Sequence, residues 1–113
     1  MKRDLILFVQ DILEQIELIE NSTINISKSR FLSDKLTVDA TVRRLEVIGE
    51  AAKNISDSFR AKYPKVPWKK ITGLRDIIVH AYFGVDLDIV WDIVKKDLPG
   101  LKKDIKDILD KEK

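Results

Sequence analysis

Cysteine is absent from this chain of 113 residues. Its absence removes disulfides, thiolate metal ligands and a cysteine nucleophile together. Histidine occurs once, at position 80, so a zinc site would need carboxylates or a second subunit; neither a metal nor a cofactor is expected. Long apolar runs are missing too. The stretch that follows Met1-Lys2-Arg3-Asp4 is interrupted by Gln10, Asp11 and Glu14, too soon for a secretory signal or a membrane span, and a cytoplasmic protein is expected. Charge of one sign is also scarce in excess. With 21 Lys and Arg against 19 Asp and Glu, the net charge of +2 exerts little general pull on nucleic acid, so any RNA contact has to be local. No alternating strand pattern, internal repeat, phosphate-cradling glycine loop or low-complexity run occurs.

What the chain does have is 44% apolar residues and 35% charged residues, enough for one domain over 1–113 with a real core. Leu5, Val9, Ile12, Ile16 and Ile19 recur at steps of three and four, with Asp11, Glu14, Gln15 and Glu17 opposite, which predicts an amphipathic helix over about 4–20. Residues 21–33 read as a loop, and Ser33 or Asp34 as the cap of a long helix over about 34–55. Val38, Val42, Leu45, Ile48, Ala52 and Ile55 form its buried stripe, and Gly49 in that stripe predicts a close helix crossing, which Ala51 and Ala52 also suit. Arg43, Glu46 and Glu50 share one flank, either as a solvated ion-pair ladder or as the lining of a cleft beside Arg75.

A short helix is expected over 56–63 with Phe59 inward. It is followed by a rigid connector over 63–73 that holds Pro64, Pro67 and Gly73 and is anchored by Trp68. Lys65, Lys69 and Lys70, interleaved with Tyr63 and Trp68, form a local basic cluster that is either an ordinary solvated loop or a phosphate contact. Asp86 or Asp88 is expected to cap a helix with Leu87, Val90, Trp91 and Val94 inward. Asp97 is expected to cap a final helix with Pro99 in its first turn and Leu101, Ile105, Ile108 and Leu109 inward. The tail from Asp110 to Lys113 should fray. The fold class is all-α, an up-and-down bundle of about five helices.

The chemistry collects in Leu74-Arg75-Asp76-Ile77-Ile78-Val79-His80-Ala81-Tyr82-Phe83-Gly84. Read as a helix, Leu74, Ile77, Ile78 and Ala81 form the inward stripe, Arg75, Val79 and Tyr82 one flank, and Asp76, His80 and Phe83 the other. Five residues of separation leave Arg75 and His80 about 140° apart around the axis. To act on one small target they need a frayed last turn, long reach or a second copy of the helix. Outward Val79 and Phe83 favour the second copy, a symmetric dimer. On spacing alone, His80 is either structural or functional, and Arg75 either pairs with a nearby acid or awaits a ligand; Asp76, four residues before His80, orients the imidazole in both cases.

Three segments carry a family resemblance: Leu45-Glu46-Val47-Ile48-Gly49-Glu50-Ala51-Ala52, Tyr63-Pro64 through Val66-Pro67-Trp68, and Arg75 to Gly84. Val90-Trp91-Asp92 and Asp97-Leu98-Pro99 extend it over nearly the whole chain. The sequence resembles HepT-type members of the HEPN superfamily, whose helical-bundle proteins are encoded beside a small nucleotidyltransferase of the MNT type. R-x4-H alone is a weak signature; R-x4-H-x-Y in this setting is a strong one. The resemblance implies a toxin that cleaves RNA without metal, with Arg75 and His80 catalytic at a cleft between two protomers and Asp76 supporting His80. It also implies a homodimer, or a larger complex with the antitoxin, and a nucleotidyltransferase antitoxin that neutralises the toxin by binding it, by transferring AMP to Tyr82, or by both. The alternative is a non-catalytic module in which the same residues bind a nucleotide or dock the nucleotidyltransferase.

Overall fold

The computed structural model describes the backbone of residues 2–82 and 87–113, and the side chains of these residues except 2 and 80–82. The expected all-α bundle is what forms. Three helices of fourteen residues or more build it: α1 (Lys2–Thr23), α3 (Lys35–Lys53) and α8 (Leu98–Lys111). Between them lie α2 (Lys28–Ser33), α4 (Asp57–Ala61), α5 (Trp68–Thr72), α6 (Leu74–Tyr82) and α7 (Leu87–Asp92). Helix α1 packs on both α3 and α8, and α3 also carries α5 and α6. No strand occurs among the described residues, and no helix among them is long and apolar enough to cross a membrane.

The stripes read from the sequence are the core. Val9, Ile12, Ile16 and Ile19 of α1 are fully buried against Leu45 and Ile48 of α3 and Ile105 and Ile108 of α8, all in one apolar cluster. The buried hydroxyls are satisfied locally: Thr23 Oγ1 donates to the Ile19 carbonyl at 2.8 Å and Thr41 Oγ1 to the Thr37 carbonyl at 2.7 Å. Asp34 caps α3, its carboxylate accepting the Thr37 N–H at 3.2 Å and the Thr37 hydroxyl at 2.8 Å. These bonds to Thr37 hold the Asp34 carboxyl below its ordinary range.

Four expectations are corrected. Residues 28–33 are helical rather than loop, because Ser27 accepts the Arg30 N–H at 3.2 Å and Phe31 is driven into the core, where its ring centroid lies 5.1 Å from that of Trp91. The connector is helical after Pro67, as α5. Asp97 does not start a new helix: its side chain makes no capping bond, and the chain is already helical from Leu87. What happens instead is a π-helical turn over Ile93–Asp97, in which the Leu98 N–H donates to the Ile93 carbonyl five residues back. Pro99 explains it, since a proline has no N–H for the carbonyl four residues earlier and its ring would strike that carbonyl, so the turn widens. The tail does not fray at Glu112, whose side chain is 5% exposed and accepts hydrogen bonds from the Tyr63 hydroxyl and, at 2.8 Å, from Lys62 Nζ. Asp86, one of the two proposed caps of α7, lies outside the described residues; Asp88 sits inside the first turn of α7.

Helix α7, the π turn and α8 are tied to the end of α1 by Lys95 Nζ, which donates to the Thr23 carbonyl at 3.0 Å. Helix α1 has no basic residue in its own last turn, so Lys95 supplies the cation its carbonyl end favours.

Candidate functional site

The position of α6 follows from Gly49 and Gly73. At Gly49, an added Cβ would sit 3.4 Å from the Ile71 carbonyl oxygen and 3.8 Å from Leu74 Cβ, ordinary contact distances, so the α5–α6 corner rests close on α3 here with room for no more than a small side chain. Gly73 is the only residue between α5 and α6, and its carbonyl accepts the Asp76 N–H at 3.2 Å, starting the new helix at once. Leu74 and Ile78 are then buried, Ile77 is half-buried, and Arg75, Asp76 and Val79 face outward. For residues 74–79 this is the wheel predicted from the sequence.

Arg75 is 62% exposed and, among the described residues, is paired only with Glu50 of α3, with Nη1 3.8 Å from Oε1. Glu50 is also 3.9 Å from Lys53 Nζ, while Arg43 and Glu46 pair at 3.7 Å, so that flank of α3 carries exposed ion pairs, the last acid of which comes near Arg75. An exposed pair at this distance is held by less than about 1 kcal/mol and leaves the guanidinium available to a stronger anion. Val79 is 43% exposed on the same flank, an apolar side chain facing solvent.

His80 and Tyr82 lie on the backbone of α6, which stays helical through Tyr82, so the Cα atoms of Arg75 and His80 are about 140° apart around the axis. The side chains of His80, Ala81 and Tyr82, and residues Phe83 and Gly84 altogether, lie outside the described residues. Within one chain, then, helical spacing keeps the two expected catalytic positions on different flanks.

Upstream, the connector is anchored by Trp68 as expected. Val66 and Trp68 are buried, Trp68 Nε1 donates to the Tyr63 carbonyl at 3.0 Å, and the Trp68 N–H donates to the Val66 carbonyl at 2.8 Å. Tyr63 contacts Phe59, with ring centroids 5.4 Å apart. Burial, then the hydrogen bond to Glu112, pushes the Tyr63 phenol up to about 12. The Tyr63–Glu112–Lys62 cluster had no signal in the sequence, because its partners are 49 and 50 residues apart.

The fold is thus a helical bundle that presents an arginine on a short helix, with a histidine five residues further along the same helix. The family described as Ribonuclease HepT-like matches residues 12–108. A protein of Thermococcus cleftensis named "Probable ribonuclease HepT" is 48% identical over 102 residues, covering 90% of this chain and 93% of its own length. A protein of Methanocaldococcus jannaschii named a "Putative RNase" is 44% identical over 104 residues, covering 92% of this chain and 95% of its own length. A second from that organism, named "Gamma-glutamylcyclotransferase and putative RNase", is 47% identical over 110 residues, and the chain, 97% covered, spans 50% of that relative's length. No solved structure gives a match. The chain belongs to the HepT-like ribonuclease family.

Proposed function

We propose that this protein is a metal-independent endoribonuclease, the cytoplasmic toxin of a HepT/MNT toxin-antitoxin pair, and that residues 1–113 act as a single domain. The observation that carries the reading is the outward Arg75 on α6, loosely held by Glu50, in a chain of the HepT-like ribonuclease family with the R-x4-H-x-Y spacing intact. In a two-fold dimer the α6 helices meet, with Val79 and Phe83 at the contact, and bring two Arg75 and two His80 to one cleft. One neutral His80 takes the proton of a ribose 2′-OH. The 2′ oxygen then attacks the adjacent phosphorus, the bond from phosphorus to the 5′ oxygen breaks, and the other protonated His80 gives its proton to that oxygen. The products are a 2′,3′-cyclic phosphate and a 5′-hydroxyl. An unperturbed imidazole, with a pKa of about 6.5, populates both forms near neutral pH. The Arg75 guanidinium groups bind the non-bridging oxygens, where negative charge builds in the transition state, and Asp76 positions His80.

Control falls to an MNT-type nucleotidyltransferase antitoxin that binds the toxin and transfers AMP from ATP to the Tyr82 hydroxyl, releasing pyrophosphate. The added phosphate and adenosine, on the Arg75 flank of α6, then exclude RNA. Complexes larger than the dimer form with that enzyme. A second reading, a non-catalytic nucleotide-binding or docking module, is favoured by Glu50, whose carboxylate offsets part of the Arg75 charge. His80→Ala separates the two: loss of RNA cleavage with dimer and partner binding retained supports catalysis, while cleavage at the wild-type rate refutes it. Phe83→Asp tests the interface by light scattering, where dissociation is expected and an undiminished dimer would be incompatible with it.

A further inference from the structure

The near-neutral chain hides a segregation of charge. From Ser58 to Arg75 there are six cations (Arg60, Lys62, Lys65, Lys69, Lys70 and Arg75) and no acid, so the net +2 is the sum of +6 here and −4 elsewhere, where 15 cations face all 19 acids. Arg60 is structural, donating from Nη2 to the Ala52 carbonyl at 2.7 Å. The other five are exposed. Lys62 pairs with Glu112 at 2.8 Å, Lys70 with Asp97 at 3.1 Å and Arg75 with Glu50 at 3.8 Å. Lys65 and Lys69 form no ion pair among the described residues, and they flank the buried Val66 and Trp68, which fix the connector to the core.

Resting on the ribonuclease reading, we propose that the segment over residues 62–75, the connector with the start of α6, is a docking track for the phosphates of single-stranded RNA flanking the cleavage point, with Lys65 and Lys69 as its principal contacts and Arg75 at its catalytic end. A polyanion is the occupant that this run of exposed cations fits, for the run itself contains no acid. Glu112, Asp97 and Glu50 pair with Lys62, Lys70 and Arg75, and Asp104 and Asp107 line a depression shared with Lys65, but neither Lys65 nor Lys69 is in an ion pair among the described residues. The same structure assigns it a readout. Trp68 is 8% exposed, and Tyr63 is packed on Phe59 with its hydroxyl on Glu112, so both aromatics interleaved with the lysines are committed inward. The track therefore offers charge without a base-stacking platform, and it binds by backbone with little base preference.

The test uses the full chain and a fluorescein-labelled 12-nucleotide RNA of mixed sequence, 2′-O-methylated so that it cannot be cut, with binding read by anisotropy over a KCl series. The Lys65→Gln/Lys69→Gln variant is compared with Arg30→Gln/Lys35→Gln, which removes the same charge from α2 and the start of α3. Each single-strand phosphate contact contributes about 0.7 to the salt slope, or roughly fivefold in affinity at 0.1 M, so the connector variant should bind about 25-fold more weakly with a slope lower by about 1.4. The control should stay within about twofold, and a wild-type preference among U-, A- and C-rich oligomers should be small. On unmodified RNA the connector variant should raise KM and keep kcat. Equal losses in both variants would overturn the track in favour of net charge. Wild-type affinity in the connector variant, with RNA still cleaved, would overturn it while leaving the ribonuclease reading intact, and would assign the lysines to an acidic protein surface. A wild-type protein that neither binds nor cleaves RNA would overturn both.

Discussion

Gly49 is the contact through which α3 sets the height of α6, and hence of Arg75, above the core, and a graded series of substitutions there has a sign change built in. The Cβ of Gly49→Ala would meet the Ile71 carbonyl oxygen at 3.4 Å and Leu74 Cβ at 3.8 Å, both ordinary contacts. The methyl is accommodated, and alanine is worth about 1 kcal/mol over glycine inside a helix. An unfolding entropy of about 2.1 cal/mol/K per residue gives roughly 240 cal/mol/K for the 113 residues, so Tm should rise by about 4 °C. Gly49→Leu keeps the propensity gain but drives two methyl groups and a methine towards the Ile71 carbonyl and Leu74. Overpacking of this kind costs about 1–3 kcal/mol, which cancels or reverses the gain and lowers Tm by up to about 8 °C. Scanning calorimetry at one fixed protein concentration measures both. Because α6 must lift to admit leucine, RNA cleavage below Tm should fall in Gly49→Leu and not in Gly49→Ala. A fall of more than about 2 °C in Gly49→Ala would refute the stated crossing distance, and a Gly49→Leu whose Tm rises as much as that of Gly49→Ala would refute the idea that the crossing is tight.

Glu50→Gln removes the carboxylate 3.8 Å from Arg75, which in water is worth about 1 kcal/mol before screening, so KM for RNA should drop about two- to fivefold, and an increase would mean that Glu50 positions Arg75 rather than competing with phosphate. Phe31→Ala empties a fully buried site beside Trp91 and should cost about 3–5 kcal/mol in urea unfolding; a loss under about 1 kcal/mol would show that α2 is not part of the folded core. For Tyr63, whose phenol is raised to about 12 in the fold, the neutral form is the one the fold favours, so its contribution is complete below pH 10 and is lost as pH rises from about 10 to about 12. The Tm advantage of wild type over Tyr63→Phe should therefore be flat to pH 10 and close above it, and an advantage that grew with pH would contradict the buried bond to Glu112.

Elements long enough to show several turns of apolar repeat were legible. The stripes of α1, α3 and α8 are the observed core, and Asp34 caps where a carboxylate before a helical repeat should. Helices α2 and α5, six and five residues long, are shorter than two turns, so one buried ring each, Phe31 or Trp68, cannot set a period against loop composition. Asp97-Leu98-Pro99 carries the local pattern of a helix start, yet the chain arrives already helical, and the proline widens one turn to π instead of opening a new helix. Glu112 illustrates the other limit. Nothing near it in sequence marks a buried carboxylate, because Tyr63 and Lys62 reach it only through the packing of α8. At the site, the outward direction of Arg75, Asp76 and Val79 was legible because helical spacing alone determines it; the closeness of Glu50 was visible only as an alternative, since it depends on how α6 crosses α3.

Cleavage of a mixed RNA pool in excess EDTA, with the ends of the products identified, tests the central claim most directly. Wild-type protein with Tyr82 confirmed unmodified by mass spectrometry should cut and leave 2′,3′-cyclic phosphates, and both His80→Ala and Arg75→Ala should lose that activity. Absence of cleavage by the unmodified wild-type protein, or cleavage that survives either substitution, would contradict it.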